Sequence, residues 1–582
     1  MSLNCAFTFD KIKKIDKYIT KADVIMKKVK IALFHYHFLS GGITTVAINA
    51  VNAIIKYASL SSFIIEEIVF ISGKEENLEN IIHEKIEKSS EVKTIIRYDS
   101  ESAIDYLSDN DKYNEQDIEE KLILLLKKYE DFIWWIHNYQ LGKNPVFTRI
   151  VTEHLKKNHN QKAIMQIHDF PECARPDNYR FLMEKEYTIY PVANNIRYAA
   201  INTRDERYLK EAGIPEKMVW LLYNPVSGLS KTELIPDKKS KKTNTKNTVT
   251  QINASEYLKK KKLCKEKLIE QYKSFFPALN PENPFALYPV RTIRRKNILE
   301  AAFLAKITGK GFNLIVTLPG LSAQEIKYSN TVQELFEKGD IPGIWGCGSK
   351  IYGETLPFED IVTASDFVIS SSIMEGFGFH MIDSLLWSKP VITKYLDIQE
   401  GFSNVFKNTA SLFYDFITVP VTHNDRERVK QLYFDSIKRY SKIMEEQSIE
   451  LALNQIDSIL SRDLVDFSYL PVYLQIEILA KVSNDQAYKN EAKELNNSLT
   501  EKILNIIKTN QSYDPLKLAD YFSFRSFAAM FFKIIDSFEN VSAVDSDKEN
   551  NLSEDEKSRL ISHNLLNLFF RPEFLRLLLS ER

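Results

Sequence analysis

Residues 366–397 read DFVISSSIMEGFGFHMIDSLLWSKPVITKYLD. A short apolar run at 366–370 leads into small polar residues and glycines, then into apolar residues at helical spacing, and a new apolar run begins at Pro390. This order predicts strand, loop, helix and strand, the repeating unit of a parallel sheet covered by helices. The loop would leave backbone N–H groups free at the helix N-terminus, where an anion binds favourably.

The same alternation of short apolar runs and longer amphipathic stretches occurs in two series along the chain. The first predicts strands at residues 29–34, 68–72, 93–98, 132–136, 163–167, 199–202 and 220–223. The second predicts strands at residues 285–290, 312–318, 341–345, 366–370 and 390–393. We therefore expect an α/β protein with two doubly wound, Rossmann-like parallel-sheet domains facing a cleft, where ligands bind at the carboxyl ends of the strands.

The other segments differ in composition and set the predicted domain bounds. Residues 1–28 are predicted to be a basic, helical segment, and residues 231–283 a linker with a Lys/Thr/Asn-rich insertion at 237–250. This linker separates an N-terminal domain, 29–230, from a C-terminal domain, 284–425. Residues 426–582 show helical spacing, with a capping box at Ser553 and Glu556, and are predicted to be a helical extension whose apolar end docks on the body.

Bulk composition excludes several classes of protein. The chain of 582 residues carries a net charge of −1, which gives no reason to expect nucleic acid as a partner. Its four cysteines are far apart and its N-terminus has no apolar signal core, so we expect a cytoplasmic protein. No apolar run is long enough to span a bilayer. The basic opening segment could touch a membrane surface, although a solvated helix is the favoured interpretation.

The loop after residues 366–370 contains the residue types that a phosphorylated sugar needs. Gly376 and Gly378, next to Phe377 and Phe379, let the backbone approach a ligand without an intervening Cβ. Glu375 stands where a carboxylate can accept hydrogen bonds from sugar hydroxyls, and Asp383 follows two helical turns later, within reach of a ribose. A helix with an acidic first turn is the alternative interpretation of the same pattern.

This segment resembles the signature of the retaining GT-B glycosyltransferases of the family 4 type, E-G-F-G-x-x-x-x-E followed by Pro-Val. Glu375 and the residues 376–378 match it, as do Pro390 and Val391, whereas Asp383 replaces the second glutamate. The resemblance implies that Glu375 contacts the donor sugar and that the backbone of residues 376–379 holds the donor. It also implies that Asp383 binds the nucleotide ribose, with a side chain one methylene shorter than that of glutamate.

A second stretch, LYPVRTIRRKNI at 287–298, is similar to the G-R-x-x-x-x-K-G loop of the same family. Arg291 and Lys296 have the required spacing, while Val290 and Asn297 stand where the family has glycines. The resemblance implies that Arg291 and Lys296 neutralise the donor diphosphate, and positioned cations stabilise the charge that develops on such a leaving group. Arg294 and Arg295 are interpreted as solvated surface residues.

The N-terminal domain offers further candidate residues at predicted strand ends. Gly41 and Gly42 follow the first strand, where the family has a Gly-Gly loop that closes over the donor phosphates. His168 follows the strand 163–167, and the resemblance implies a position near the donor sugar or the reacting centre. The predicted acceptor contacts are His137, Asp169, Arg175 and Asn178. A histidine at a strand end can equally be a hydrogen-bonded structural residue.

Together these features predict a retaining glycosyltransferase that moves a hexose from a UDP- or GDP-sugar to a sugar or small polar acceptor. The predicted catalytic residues are Glu375, Arg291, Lys296 and His168. No cofactor and no metal site is predicted, and Asp109-Asn110-Asp111 is interpreted as a polar loop. The alternatives are a GT-B epimerase or phosphorylase, and a non-catalytic sugar-binding or scaffold protein on the same frame.

Overall fold

The computed structural model describes residues 26–39, 41–74, 86, 94–107, 113–185, 187–229, 254–511, 513–539 and 552–581. Four features of the sequence analysis lie outside these ranges in whole or in large part. They are residues 1–25 of the basic segment, the cysteine Cys5 within it, the loop Asp109-Asn110-Asp111 and the insertion 237–250.

The N-terminal half contains a seven-stranded parallel sheet with the strand order β3-β2-β1-β4-β5-β6-β7. Its central strands β4, β5 and β6 are buried along their whole length, which explains the continuous apolar runs in the sequence. The strands are β1 (Lys27–His35), β2 (Phe63–Ser72), β3 (Ile95–Ser100), β4 (Ile133–His137), β5 (Ala163–Ile167), β6 (Ile196–Ala200) and β7 (Val219–Leu221).

The C-terminal half repeats this topology in a six-stranded parallel sheet with the order β10-β9-β8-β11-β12-β13. A short antiparallel pair, β14 with β15, lies beyond it. The strands are β8 (Phe285–Arg291), β9 (Asn313–Leu318), β10 (Gly343–Trp345), β11 (Phe367–Ser370), β12 (Val391–Lys394), β13 (Ser411–Tyr414), β14 (Thr418–Pro420) and β15 (Leu464–Asp466).

Helices connect the strands and form the C-terminal extension. Those of the first sheet are α1 (Gly42–Lys56), α2 (Glu115–Lys128), α3 (Pro145–Lys157), α4 (Pro176–Glu184) and α5 (Thr203–Glu211). Those around the second sheet are α6 (Ala254–Tyr272), α7 (Ile298–Ile307), α8 (Ala323–Glu337), α9 (Phe358–Ala364) and α10 (Phe379–Leu386). The extension comprises α11 (His423–Ile437), α12 (Glu446–Leu460), α13 (Val472–Asn484), α14 (Gln486–Leu495), α15 (Asn497–Ile507), α16 (Pro515–Phe522), α17 (Phe524–Asp536), α18 (Glu554–Phe569) and α19 (Pro572–Leu575).

Both sheets reverse their strand order at one point, and these two points position the site. In the first sheet β1 pairs with both β2 and β4, and in the second β8 pairs with both β9 and β11. The loops that follow such neighbouring strands diverge and leave a crevice at the carboxyl edge of the sheet. The predicted fold class, two doubly wound domains of the GT-B type with a helical extension, is confirmed.

Two details of the predicted strands are wrong. The strand predicted at 199–202 ends at Ala200, because the Asn202 side chain instead caps α5 by accepting a hydrogen bond from Asp205 N. The short strands β13, β14 and β15 were not predicted.

The extension packs on both domains. Phe527 and Phe531 of α17 pack on α1 in the core of the first domain, where the Phe531 ring lies 4.6 Å from that of Trp135. Farther along, Leu565 of α18 joins the other face of that domain, and Leu579 joins the core of the second domain. The capping box at Ser553 and Glu556 is present, and the predicted docking of the apolar end is confirmed.

A third apolar cluster joins the two domains directly. Ile201 from the first domain, Phe377 from the second and Phe522 from the extension are all buried in it. A backbone hydrogen bond of 2.8 Å from Val226 N to Phe522 O fixes the extension beside the chain that leaves the first domain. Within the described ranges, no helix combines the length and the apolar character that crossing a bilayer requires.

The packing of α17 leads to a stability prediction. Phe531 is fully buried, so we expect Phe531→Ala to lower the free energy of unfolding by about 3 kcal/mol, through lost burial and the cavity left behind. Phe416 is 64% exposed, and Phe416→Ala is the matched control, expected to change stability by less than about 0.5 kcal/mol. Urea unfolding followed by circular dichroism measures both. Equal effects of the two variants would contradict the assigned docking of α17.

Candidate active site

Glu375 lies in the loop between β11 and α10, beside two cations of the second domain. Lys296 donates a hydrogen bond from Nζ to Glu375 Oε1, and Arg295 Nη1 lies 3.3 Å from Oε2. The side chains of Glu375 and Lys296 are only 7% and 11% exposed. Buried ion pairs of this kind contribute little net stability, because the cost of desolvation offsets the attraction between the charges. The cluster therefore calls for a functional explanation.

Burial and charge have opposing effects on the pKa values in this cluster. Burial alone would raise the pKa of Glu375, but the cations of Lys296 and Arg295 outweigh it and lower the pKa to about 2. Burial lowers the pKa of Lys296 to about 8, although the charge of Glu375 acts in the other direction. We therefore expect a carboxylate and an ammonium ion at neutral pH.

Hydrogen bonds between two loops hold Lys296 next to Glu375. The Tyr288 hydroxyl donates to Lys296 O at 2.5 Å and lies 3.0 Å from Ser372 Oγ. Ser371 Oγ donates to Asn297 O at 2.8 Å, and Ile373 N donates to Arg295 O at 2.9 Å. These hydrogen bonds therefore fix the loop after β8 against the loop after β11.

The structure accounts for the two departures from the family's glycine positions. Asn297 has φ 50° and ψ 47°, a left-handed conformation that asparagine tolerates better than most residues, so it can take the place of glycine. Val290 lies within β8, and it is not among the residues with positive φ. No glycine is required there.

The arginines near Lys296 have different surroundings. Arg291 ends β8, is 45% exposed and pairs with Glu325 at 3.3 Å. Arg294, interpreted from sequence as solvated, is buried and donates to Asn297 Oδ1 and Leu470 O, so that interpretation is wrong. The solvated interpretation also fails for Arg295, because its guanidinium group is held by Glu375 and by Met374 O at 3.2 Å.

The two domains touch at Gly376. A Cβ atom on Gly376 would lie 3.0 Å from the carbonyl oxygen of His168 in the first domain, closer than nine in ten such contacts. Asn202, also in the first domain, donates to Gly376 O at 2.7 Å. The glycine is therefore explained by this close approach, which brings Glu375 and His168 to the same cleft.

His168 pairs with His137 at the ends of neighbouring strands. His137 Nδ1 lies 2.9 Å from His168 Nε2, and both residues are buried. Burial lowers the pKa of His168 to about 4 and that of His137 well below its usual range, so both rings are neutral at neutral pH. Asn138 Oδ1 accepts hydrogen bonds from the backbone N–H groups of His168 and Asp169, which fixes the two strand ends together.

Asp383 lies on α10, partly buried and with its carboxylate unpaired. Burial raises its pKa to about 7, and among the described residues none donates a hydrogen bond to it. Gly378 precedes α10 with φ 79°, and Phe377 and Phe379 pack with ring centroids 4.7 Å apart. An unpaired carboxylate at this depth costs free energy unless a ligand supplies donors.

Gly41 and Gly42 stand at the start of α1, after β1. A Cβ atom on Gly42 would meet no heavy atom within 4 Å, and one on Gly41 would meet only Leu39 O at 3.8 Å. Contacts with the part of the chain that the structure describes therefore do not explain these two glycines. Their role toward the donor phosphates stays a prediction.

The predicted acceptor residues lie at the end of β4 (His137), in the loop after β5 (Asp169 and Arg175) and in the first turn of α4 (Asn178). Arg175 Nη2 lies 3.5 Å from Asp169 Oδ2, and Arg175 also donates to Phe170 O at 2.7 Å. Asn178 donates from its side chain to Leu141 O at 3.1 Å, so it holds the loop after β4. His137 is 1% exposed and reaches the cleft only through His168. Contact of these residues with an acceptor stays a prediction.

Three residues of this region were not predicted as site residues. Arg295 was interpreted from the sequence as a solvated surface residue. For Asn202, the sequence indicated no role other than capping a helix. His380, in the first turn of α10, is buried; burial lowers its pKa to about 4, against the raising effect of Glu375. Its Nε2 has no hydrogen-bond partner among the described residues. The available signal for Arg295 was its position as a further cation between Arg291 and Lys296, the two residues that match the family's loop.

In the described part of the chain, no group of three or more His, Cys, Asp or Glu side chains could hold a metal ion. The described cysteines, Cys173, Cys264 and Cys347, are buried and free.

Two facing Rossmann-like domains, with a cation-bound glutamate where they meet, define the class of protein: a GT-B glycosyltransferase. The sequence is 30% identical over 558 residues to the mannosylglucosyl-3-phosphoglycerate synthase of Petrotoga mobilis, covering 94% of this chain and 99% of that protein. The chain belongs to the family of that enzyme. The resemblance to GT-B glycosyltransferases noted in the sequence is thereby confirmed.

No known family model matches the sequence. Among solved structures, HepE of Anabaena in complex with UDP and glucose is 11% identical with a TM-score of 0.46, covering 88% of this chain and 100% of that one. Sucrose-phosphate synthase of Thermosynechococcus elongatus is 13% identical with a TM-score of 0.45, covering 89% and 100%.

Because the carboxyl group of Asp383 is isolated, we predict that substituting it increases the stability of the fold, by an amount that depends on pH. Its pKa rises from 3.8 to about 7 on folding, so the folded chain binds more protons and loses stability as pH rises between these values. We expect Asp383→Asn to stabilise the fold by about 2 kcal/mol at pH 8 and by much less at pH 4. Melting temperatures at the two pH values measure this.

Asp360→Asn is the control, because the Asp360 carboxylate pairs with Lys267 at 3.2 Å in the same domain. It should lower the melting temperature instead of raising it. If Asp383→Asn raised the melting temperature equally at both pH values, ionisation of the Asp383 carboxyl group would not destabilise the folded protein.

Proposed function

We propose that this chain is a retaining hexosyltransferase that moves a sugar from a nucleotide-diphosphate donor to a hydroxyl group of an anionic acceptor. The observation that carries the proposal is the buried cluster of Glu375 with Lys296 and Arg295, at the switch point of the second sheet and opposite His168. A glutamate held ionised and oriented by two cations can accept hydrogen bonds from sugar hydroxyls, and the same cations can face a diphosphate.

The donor is assigned to the second domain on chemical grounds. The leaving nucleotide diphosphate gains negative charge, which Arg291 and Lys296 would stabilise, together with the N–H groups at the start of α10. Arg291 could turn toward a ligand, because its side chain is 45% exposed and is held only by a contact of 3.3 Å with Glu325 among the described residues. Asp383 would accept hydrogen bonds from the ribose hydroxyls.

The sugar and the acceptor are proposed from the relative. That enzyme is named for the product mannosylglucosyl-3-phosphoglycerate, so we assign mannose as the transferred sugar and glucosyl-3-phosphoglycerate as the acceptor. The glucosyl hydroxyl would attack the anomeric carbon on the face from which the diphosphate departs. The departing phosphate oxygen would take the proton, and the configuration of the isolated product tests retention.

His168 and the Gly41-Gly42 turn complete the proposed site from the first domain. His168 is neutral, because burial lowers its pKa to about 4, so it can donate or accept a hydrogen bond at a sugar hydroxyl but does not supply a charge. Gly41 and Gly42 would let the backbone close over the phosphates. The contact of Gly376 with His168 would exclude water, which otherwise hydrolyses the donor. We also propose a reducing, cytoplasmic compartment, which suits the free cysteines.

A donor panel in EDTA tests the proposed class of reaction. We expect a mannose-bearing nucleotide, GDP-mannose first, to raise the melting temperature, since a ligand at about 100 times its Kd adds about 2.7 kcal/mol to the folded state. Turnover with glucosyl-3-phosphoglycerate should continue in EDTA, because side-chain cations supply the charge. A flat panel of UDP, GDP and ADP sugars would support a non-catalytic protein instead, and loss of turnover in EDTA would contradict the proposed charge stabilisation.

Arg291 gives a sharper test of the diphosphate assignment. We expect Arg291→Ala to reduce kcat about 100-fold, the usual loss when one group that stabilises developing charge is removed. Arg428 is comparably exposed and pairs with Asp425 at 3.7 Å on α11, so Arg428→Ala is the control and should retain full activity. Both variants should melt within a few degrees of the parent. Activity of Arg291→Ala within severalfold of the parent would overturn the assignment.

A further inference from the structure

Lys143 carries a charge that has no ion-pair partner among the residues that the structure describes. It lies in the loop between β4 and α3, where its ammonium group is 5.5 Å from the centre of the Tyr106 ring. Among the described residues, none accepts a hydrogen bond from this ammonium group or forms an ion pair with it. Burial, followed by the charge of Arg175, lowers the pKa of Lys143 from its usual value. An unpaired, half-buried cation costs free energy.

The loop holds Lys143 firmly in this position. Leu107 N donates to Lys143 O at 2.9 Å, and the next residue, Asn144, donates from its side chain to Ala103 O and Asp105 O at 2.8 Å each. Gly142, on the other side, has φ 66° and packs against α4, where a Cβ atom would lie 3.2 Å from Asn178 O. The backbone at Lys143 is therefore positioned before any ligand binds.

The neighbouring charges are already balanced without Lys143. Tyr106 and Lys143 lie within electrostatic reach of carboxylates from both domains. Each carboxylate has a cation of its own: Asp105 lies 3.9 Å from Lys74, Asp169 lies 3.5 Å from Arg175, and Glu325 lies 3.3 Å from Arg291. Lys143 is thus a surplus positive charge between Arg175 and the second domain.

The surplus charge lies on the acceptor side of the cleft. Lys143 and Arg175 follow β4 and β5, the two strands that also end in His137 and His168. Tyr106 is 44% exposed and lies near Arg175 and Arg291, so the patch faces the cleft and is open to a ligand. An anion here would lie beyond the transferred sugar, on the first domain.

We propose that Lys143, with Arg175, binds the phosphate of the acceptor's phosphoglycerate group, and that Tyr106 forms the wall of this site. A phosphate monoester carries close to two negative charges at neutral pH. Lys143 supplies a point charge, while Arg175 supplies a fork of donors that can leave Asp169 for the stronger anion. The inference rests on the proposed function, since it identifies which end of that acceptor the first domain recognises.

Binding measurements test the site without requiring turnover. Titration calorimetry compares 3-phosphoglycerate with glycerate on the full chain and on Lys143→Met. We expect the parent to bind 3-phosphoglycerate more tightly than glycerate, and Lys143→Met to lose about 30-fold in affinity for 3-phosphoglycerate alone, the worth of one charge-assisted contact. Lys143→Arg, which keeps the charge, should recover most of that affinity.

Lys162 provides the matched control. It is also half buried, with its ammonium group 5.9 Å from the centre of the Phe538 ring, but it precedes β5 and so lies at the opposite edge of the same sheet. Lys162→Met should bind 3-phosphoglycerate within twofold of the parent. Equal binding by the parent and Lys143→Met, or no preference of the parent for the phosphorylated ligand, would overturn the inference.

Kinetics distinguish failure of this site from failure of the proposed function. With GDP-mannose as the donor, Lys143→Met should raise the KM for glucosyl-3-phosphoglycerate about 30-fold. For glucosylglycerate, which lacks the phosphate, the KM of the variant should stay close to that of the parent. A rise in the donor KM instead would mean that Lys143 holds the donor diphosphate, and would overturn the inference. If the parent protein released no nucleotide from any sugar donor, the proposed transferase reaction would be refuted. The calorimetric comparison would still test the phosphate site independently.

Discussion

The carboxylate of Glu375 and the two cations beside it form the interaction on which the cleft depends. The charges are buried at the point where the second sheet reverses its strand order, and the surrounding loops are joined by hydrogen bonds through Tyr288 and Ser371. Because desolvation opposes such a cluster, it persists only where many contacts fix its geometry. The whole carboxyl edge of the sheet is organised around these charges.

Contacts across the cleft extend that order to the first domain. Gly376 approaches His168 so closely that a Cβ atom would lie only 3.0 Å from its carbonyl oxygen, and Asn202 donates to Gly376 O. The extension reinforces this contact, because Phe522 lies in an apolar cluster with residues of both domains. The candidate site thus lies where the two domains meet, and a segment that follows both in sequence packs beside it. Residues far apart along the chain are coupled in its geometry.

The Asp383 and Lys143 side chains near the cleft have no charged partner within the described ranges of the chain, and their positions are consistent with ligand binding. The Asp383 carboxyl group is buried without a donor, and the Lys143 ammonium group is half buried without an acceptor. Each costs free energy in the unliganded fold. Asp383 belongs to the proposed donor site of the second domain, and Lys143 lies on the proposed acceptor side of the first.

The sequence by itself determined the two parallel sheets, since their buried strands are continuous apolar runs, and it marked Glu375, Arg291 and Lys296 through their spacing. Tertiary structure decided which charges meet. Arg294 and Arg295 are adjacent in sequence, yet one is buried in a structural contact and the other holds Glu375. Likewise Lys143 differs from other lysines only through what surrounds it. Local spacing encodes strand, loop and helix, whereas pairing and burial depend on contacts between residues separated by up to hundreds of positions, which no local pattern records.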